Sequence, residues 1–200
     1  MVLAAIVLVA VKGLIDVPEL RRLWRSSRFE FGIAMVAFAS VLLLGILKGV
    51  LLAAVASILM LIRRAARPHV AFLGRIPGTR RYSDLERNPD NELVPGAILF
   101  RVEASILYFN TEHVREEVWK KVRSADPKPR LVLCDLSASP YVDVAGARML
   151  LELYKELSAA GVALRLAEAR SGVRDILRAE GLEDRVGYFG RRVSLDDVLE

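Results

Sequence analysis

The longest apolar stretch of the chain, residues 31–62, contains a single charged residue, Lys48. One straight helix of this length would span about 48 Å, which exceeds a hydrocarbon core about 30 Å thick. Glycines lie on both sides of the lysine and predict a break there. We therefore expect a tight helical hairpin in a membrane, with arms at Phe31–Leu47 and Val50–Ile62. The lysine is expected at the turn, where its side chain reaches the far interface.

The charge of the chain is divided unevenly between its two parts. Residues 1–67 hold nine Lys and Arg against three Asp and Glu, a net charge of +6, whereas residues 68–200 have a net charge of −1. A nucleic-acid-binding protein would carry its basic residues on a soluble module, so this distribution argues against nucleic acid as a partner. Arginine clusters before and after the hairpin predict that both of its ends are cytoplasmic.

The segment before the hairpin is expected to lie in and on the same membrane. Val2–Ile15 is apolar but shorter than the roughly 20 residues of a spanning helix, so it is interpreted as the tail of a helix. Residues 16–30 form a polar connector, interpreted as cytoplasmic, in which Pro18 opens a short interfacial helix. Residues 1–67 are thus predicted to form a multi-pass membrane segment whose partner is membrane lipid.

The second part is expected to be a linker, residues 68–95, followed by a compact α/β domain, residues 96–200. The linker assignment is based on its prolines, on Gly78 and on its scattered charges. The domain should contain a mostly parallel sheet with elements in the order β-β-α-β-α-β-α-β-α. The five predicted strands are Ile98–Val102, Ser105–Phe109, Leu131–Cys134, Val162–Leu166 and Arg185–Phe189.

The most informative stretch of this domain is a buried strand, a short polar loop and a helix, residues 131–151. Asp135 ends the strand and is expected to bond loop amides. Ser137 and Ser139 are turn residues, and Asp143 occupies the position of a helix N-cap. Gly146, in the first turn of the helix, should allow that helix to approach another backbone closely.

This stretch, LCDLSASPYVDVAGARMLLEL, resembles the core of the STAS domain, which is shared by anti-sigma-factor antagonists and by SulP sulfate permeases. The segment VLAAIVLVAVKGLIDVPELRRLWRSSRFEF is similar to the late transmembrane region of the permeases. The resemblance implies a membrane α-helical segment followed by an α/β STAS domain. It also implies that the STAS domain is a cytoplasmic docking and regulatory module.

The sequence departs from the phospho-regulated members of that family. Their motif places a hydroxyl residue before the glycine, but Val144 and Ala145 have no acceptor oxygen for a phosphate. The departure counts against a soluble anti-sigma-factor antagonist and leaves the permease interpretation intact. The loop remains a candidate surface for a cytoplasmic protein or, through free N–H groups at the helix start, for a nucleotide. Its residues are Asp135, Ser137, Ser139, Asp143, Val144, Ala145 and Gly146.

No catalytic set, metal site or cofactor motif is recognised in the sequence, so an enzyme is not expected. The two histidines are isolated, and the single cysteine lies in a predicted strand. Two functions stay open. The first is the C-terminal portion of a SulP-type anion transporter in the inner membrane, incompetent for transport without the rest of its membrane domain. The second is a free-standing, membrane-anchored STAS module; whether the chain forms a homodimer is also open.

Overall fold

A computed structural model describes residues 16–191 and 193–199, which divide between residues 63 and 64 into two compact units. The predicted helix tail at Val2–Ile15 lies outside the described residues. The first unit contains helix α1, Val17–Ser26, and helix α2, Arg28–Leu44. Helix α3, Ile46–Ala65, begins in the first unit and ends in the second. Asp16 caps α1 by accepting a hydrogen bond from the Glu19 amide at 3.0 Å.

The hairpin turn is at Gly45 rather than at Lys48, which lies inside α3. Gly45 is the single residue between α2 and α3, and its φ of 80° lies in the left-handed region that favours glycine. Gly49 was expected in the break but lies inside α3. A Cβ on Gly49 would collide with the backbone of Ser40 and Val41, so the missing side chain allows the two helices to touch. The hydroxyl of Ser40 donates to the Gly49 carbonyl at 3.1 Å.

Helix α3 is long and apolar enough to cross a membrane, with 20 residues and a mean hydropathy of 2.1 in its best window. Among the described residues it is the only helix that meets both conditions. Twenty residues rise about 30 Å, which matches the thickness of a hydrocarbon core. Large apolar side chains of this helix are exposed, including those of Leu47, Leu51 and Leu61.

The second unit is built on a five-stranded mixed sheet in the order β2-β1-β3-β4-β5. Strand β1 is antiparallel to β2 and β3, whereas β3, β4 and β5 are parallel. The strands are β1 Val70–Arg75, β2 Tyr82–Asp84, β3 Ala97–Val102, β4 Leu131–Asp135 and β5 Ala163–Ala167. The helices are α4 Thr111–Ser124, α5 Val144–Ala159, α6 Ser171–Ala179, α7 Glu183–Val186 and α8 Leu195–Leu199.

One face of the sheet carries the main core. Side chains of β3, β4 and β5, among them Phe100, Cys134 and Leu166, pack against α4, α5 and α6. The other face is thinner, and Leu195 of α8 packs there against Leu73, Leu99 and Leu133. Burial raises the pKa of the Cys134 thiol well above its ordinary value.

Three sequence predictions for this unit are wrong. Residues 68–95 are not simply a linker, because β1 and β2 belong to the sheet. The apolar run of β1 is short and flanked by prolines, so its sequence pattern does not indicate a strand. Ser105–Phe109 is not a strand: only Ile106 forms a bridge, with Val142, and the Asn110 side chain folds the rest into a turn by accepting from the Leu107 amide.

The third wrong prediction is the edge strand at residues 185–189. The chain there forms the short helix α7, which ends at Gly187 with a φ of 82°. Phe189 is buried in the main core, and the Arg178 guanidinium lies over its ring, 5.9 Å from the centroid. The salt bridge from Arg178 to Glu183, at 2.7 Å, ties α7 to α6.

Candidate functional site

The predicted loop lies at the carboxyl end of β4, between the two other parallel strands. Open α/β sheets place their ligand sites at this edge, because loops from neighbouring strands meet there. Arg101 near the end of β3 and Ala167 at the end of β5 flank Asp135 in register. Some side chains of the loop have partners inside the domain, and others face solvent.

Asp135 serves the fold. Its side chain is 1% exposed and forms a salt bridge with Arg101, with the Arg101 Nε 2.7 Å from the Asp135 Oδ2. The other carboxylate oxygen accepts a hydrogen bond from the Ser137 amide at 2.8 Å. Both oxygens of Asp135 thus have partners, and the residue fixes the start of the loop.

The two serines of the loop differ in accessibility. Ser139 is fully buried, and its hydroxyl donates to the Val102 carbonyl at 3.2 Å. Ser137 is half-buried, and its carbonyl oxygen accepts from Arg170 at 3.5 Å. Ser139 therefore holds the loop against β3, whereas Ser137 stays partly accessible.

Asp143 is the N-cap of α5, and it also joins α5 to the segment before α4. One carboxylate oxygen accepts from the Gly146 amide at 2.7 Å, and the other accepts from the Tyr108 amide at 2.9 Å. The amide of Asp143 in turn donates to the Ile106 carbonyl at 3.1 Å. A second anion at this helix start would meet the Asp143 carboxylate, which opposes nucleotide or phosphate binding there.

Gly146 allows the close approach that the sequence predicts. A Cβ at this position would lie 2.7 Å from the Ile106 carbonyl oxygen and 3.0 Å from side-chain atoms of Ile106 and Val142. The first turn of α5 therefore packs directly against the bridge between residues 106 and 142.

The accessible part of the region is apolar and aromatic. Val144 is 48% exposed, Tyr141 53% and Tyr108 73%. The backbone of their segments is joined, because the Ile106 amide donates to the Tyr141 carbonyl and the Tyr108 amide donates to Asp143. We call Tyr108, Tyr141 and Val144 the aromatic surface. Neither tyrosine was expected from the sequence, although two aromatic residues in polar turns are a signal for an exposed contact.

A cleft of about 320 Å³ is lined in part by Asp135. Glu168, which follows β5, has a φ of 57°, the only positive value among described residues other than glycine. Burial raises the pKa of Glu168, and the carboxylates of Asp135 and Asp197 add to the shift while Arg101 opposes it. This cleft was not expected from the sequence. Its lining includes Arg80, Arg81, Tyr82, Arg101, Ser137, Glu168 and Asp196.

The described residues, 16–191 and 193–199, contain no group of three or more His, Cys, Asp or Glu that could hold a metal ion. His69 contacts Asp84 at 2.9 Å, and His113 contacts the Pro68 carbonyl at 3.1 Å. Burial alone would raise the pKa of Asp84, but hydrogen bonds from His69 and from the Glu86 amide bring it below its ordinary value.

Two family models match the chain. The STAS domain model matches residues 88–195, and the sulfate permease family model matches residues 1–37. The fold is thus a candidate membrane span followed by a STAS α/β domain. The chain belongs to the sulfate permease (SulP) family.

Curated relatives are similar over nearly the whole chain. A probable sulfate transporter of Mycobacterium tuberculosis is 34% identical over 185 residues, which cover 92% of this chain and 33% of the relative. High affinity sulfate transporter 2 of Stylosanthes hamata is 29% identical over 93% of this chain and 29% of its own length. The chain therefore spans about a third of the length of these relatives.

The fold is also similar to that of a solved anion transporter. The structure of murine solute carrier 26 family member A9, in the inward-facing state, has a TM-score of 0.76 at 22% identity. The similarity covers 90% of this chain and 29% of that one.

Proposed function

We propose that this chain works as one part of a secondary anion transporter of the sulfate-permease type, with sulfate or a similar anion as substrate. The observation that carries the proposal is that a sulfate permease match and a STAS match occur in one chain. Residues 1–67 would lie in the inner membrane, and the domain that follows, including β1 and β2, would lie in the cytoplasm. Arginines at both ends of the hairpin support this orientation.

The chain alone is expected not to transport. Transporters built from two inverted repeats bind substrate at the interface of the repeats, so both are needed. The test is uptake of radiolabelled sulfate by proteoliposomes that contain only these 200 residues. Uptake equal to that of empty vesicles is expected, and sulfate flux well above that background would refute the expectation.

Within such a transporter the STAS domain is proposed to be a docking and regulatory module, and the aromatic surface is proposed to be its contact. Among the seven loop residues, Asp135, Ser139 and Asp143 already have partners inside the domain. The side chains that remain exposed for a partner are mainly Val144, with Tyr108 and Tyr141 beside it. Apolar and aromatic side chains fit a protein partner, such as the rest of the membrane domain, better than a nucleotide.

The regulatory role can be tested in the complete gene product with the pair Tyr141→Ala and Val144→Arg. If the surface docks a partner, the maximal rate of sulfate uptake should fall several-fold while the KM is unchanged, because no residue of this surface would touch the anion. Tyr188→Ala is the matched control, since Tyr188 is also an exposed tyrosine, at 71%. A maximal rate equal to that of the control would count against the docking role.

A second function, a membrane-anchored STAS interaction module, is favoured by the same exposed aromatic surface. The two functions differ in the gene. An upstream stop codon and a ribosome-binding site just before Met1 would support the anchored module. A reading frame that continues upstream through further apolar segments would support the transporter.

A further inference from the structure

Helix α1 separates basic from apolar side chains around its axis. At 3.6 residues per turn, Arg21, Arg22 and Arg25 fall within an arc of about 100°. The apolar residues fall on the opposite side, within about 120°. These apolar residues are Val17, Leu20, Leu23 and Trp24.

Neither side of α1 is covered by the described residues of the first unit. None of the ten residues of the helix is buried, and Val17 and Trp24 are 57% and 50% exposed. Exposed apolar side chains at this density, next to membrane helices, fit a lipid boundary better than water.

Trp24 connects the apolar side of α1 to the start of α2. Its ring meets Phe31 edge-on, with 4.9 Å between the centroids, and the Arg28 guanidinium lies 5.4 Å from the Trp24 centroid. The chain bends at Ser27, whose extended backbone separates the two helices. An aromatic pair beside an arginine is typical of the interface between acyl chains and headgroups.

The arginines are poorly neutralised within the protein. Among the described contacts of α1, the only salt bridge joins Arg22 to Glu19, at 3.6 Å between largely exposed side chains, and such pairs contribute little. If the apolar side is immersed at the acyl boundary, the three guanidinium groups come level with the lipid phosphates. Guanidinium groups bind phosphate oxygens in a bidentate manner.

We propose that α1 is an interfacial helix that binds the headgroup phosphates of anionic phospholipids through Arg21, Arg22 and Arg25. Zwitterionic lipid also offers phosphate, but its ammonium group cancels the net charge that attracts the arginines. The lipid shell around α1 should therefore be enriched in anionic lipid relative to the bulk membrane. This inference relies on the membrane placement in the proposed function.

The chain provides its own probe, because Trp24 and Trp119 are its only tryptophans. In a Trp119→Phe background, Trp24 alone reports on α1. The full chain is reconstituted in two sets of vesicles: phosphatidylglycerol with brominated acyl chains diluted in phosphatidylcholine, and the reverse labelling. Quenching by either brominated lipid measures immersion of Trp24, and the ratio between the two measures the local preference for anionic lipid.

Quenching in both sets is expected, with phosphatidylglycerol enriched around Trp24 by at least about threefold at low salt and less at high salt. The triple variant Arg21→Gln, Arg22→Gln, Arg25→Gln should keep the quenching and lose the enrichment. A control with the same change of charge, Arg123→Gln, Arg130→Gln, Arg185→Gln, alters exposed arginines of the second unit and should keep both.

Two outcomes would overturn the inference, and they differ in what they imply. Enrichment equal in the triple variant and the original chain would exclude the arginines as the lipid-binding groups, while the membrane placement would stand. Absence of quenching in both sets of vesicles would mean that Trp24 is not immersed, which would remove the interfacial position itself. The Trp24→Phe chain, in which only Trp119 emits, reports whether each preparation is folded.

Discussion

Replacement of Gly146 by alanine tests the close approach of α5 to the bridge between residues 106 and 142. The new Cβ would lie 2.7 Å from the Ile106 carbonyl oxygen, a backbone atom that cannot rotate away. Moving it would lengthen the hydrogen bond that the Asp143 amide donates to it. Overpacking costs about 1–3 kcal/mol and a weakened hydrogen bond about 1 kcal/mol. Alanine regains up to about 1 kcal/mol of helix propensity. The net expectation is a loss of about 1–3 kcal/mol in the free energy of unfolding.

The chain contains a matched control at Gly172, which lies in the first turn of α6 and has no atom within 4 Å of the Cβ position. Gly172→Ala should therefore leave the stability unchanged or raise it by up to about 1 kcal/mol. The opposite signs of the two substitutions separate steric contact from helix propensity.

Urea unfolding of the full chain in a non-ionic detergent measures both variants. In a Trp24→Phe background the fluorescence comes from Trp119, which donates to Glu156 at 2.5 Å and so reports the packing of α4 on α5. A loss of about 1–3 kcal/mol corresponds to a midpoint lower by about 0.5–1.5 M of urea. A Gly146→Ala midpoint at or above that of Gly172→Ala would refute the reasoning.

Three further substitutions test other contacts of the domain, all by the same unfolding measurement. Asp143→Ala should cost about 1–2 kcal/mol because it removes the acceptor for both the Gly146 and Tyr108 amides, and an unchanged midpoint would exclude the cap. Arg101→Ala should lower the free energy of unfolding by about 3–5 kcal/mol because it leaves the buried Asp135 carboxylate without its salt bridge. The double variant Arg101→Ala, Asp135→Asn should recover part of that loss. A double variant no more stable than Arg101→Ala would contradict this. His69→Ala should reduce the loss of unfolding free energy that occurs as the pH falls below the ordinary pKa of Asp84. The folded-state pKa of Asp84 is lowered, so its contribution is complete above its ordinary value and is lost as the pH falls through the lowered value; an identical acid limb in the variant would exclude the contact.

Local sequence rules were sufficient where an element carries its own pattern. The spacing of Val114, Val118 and Val122 is that of one apolar helix face, and all three are buried in α4. The N-cap predicted at Asp143 is present, and Ser194 and Asp197, three residues apart, form a capping box. These features depend on residues three or four positions apart, which is the range over which helix geometry acts.

The same rules failed where long-range pairing decides the structure. Strand β1 is short and bounded by prolines, so its place in the sheet depends on its pairing with β3 rather than on its own pattern. Residues 105–109 have strand-like side chains, but hydrogen bonds of Asn110 fold them into a turn.

Some residues of the candidate site could be predicted from local sequence, and others could not. The roles of Asp135, Asp143 and Gly146 follow from their positions at the ends of a strand and a helix, so they were accessible to sequence reasoning. Arg101 lies 34 residues from Asp135, Tyr108 lies 35 residues from Asp143, and Glu168 lies 33 residues from Asp135, so only the tertiary fold brings them to the loop. The positive φ of Glu168 has no sequence signal at all.

The burial of Cys134 has a practical consequence for experiments on the whole molecule. It is the only cysteine of the chain, it is fully buried, and its thiol stays protonated at neutral pH. Maleimide and methanethiosulfonate reagents react with exposed thiolates, so the unaltered chain already serves as a silent background for site-directed labelling. A cysteine introduced at Lys48 or Val144 would carry a spin label or fluorophore without prior removal of the native residue.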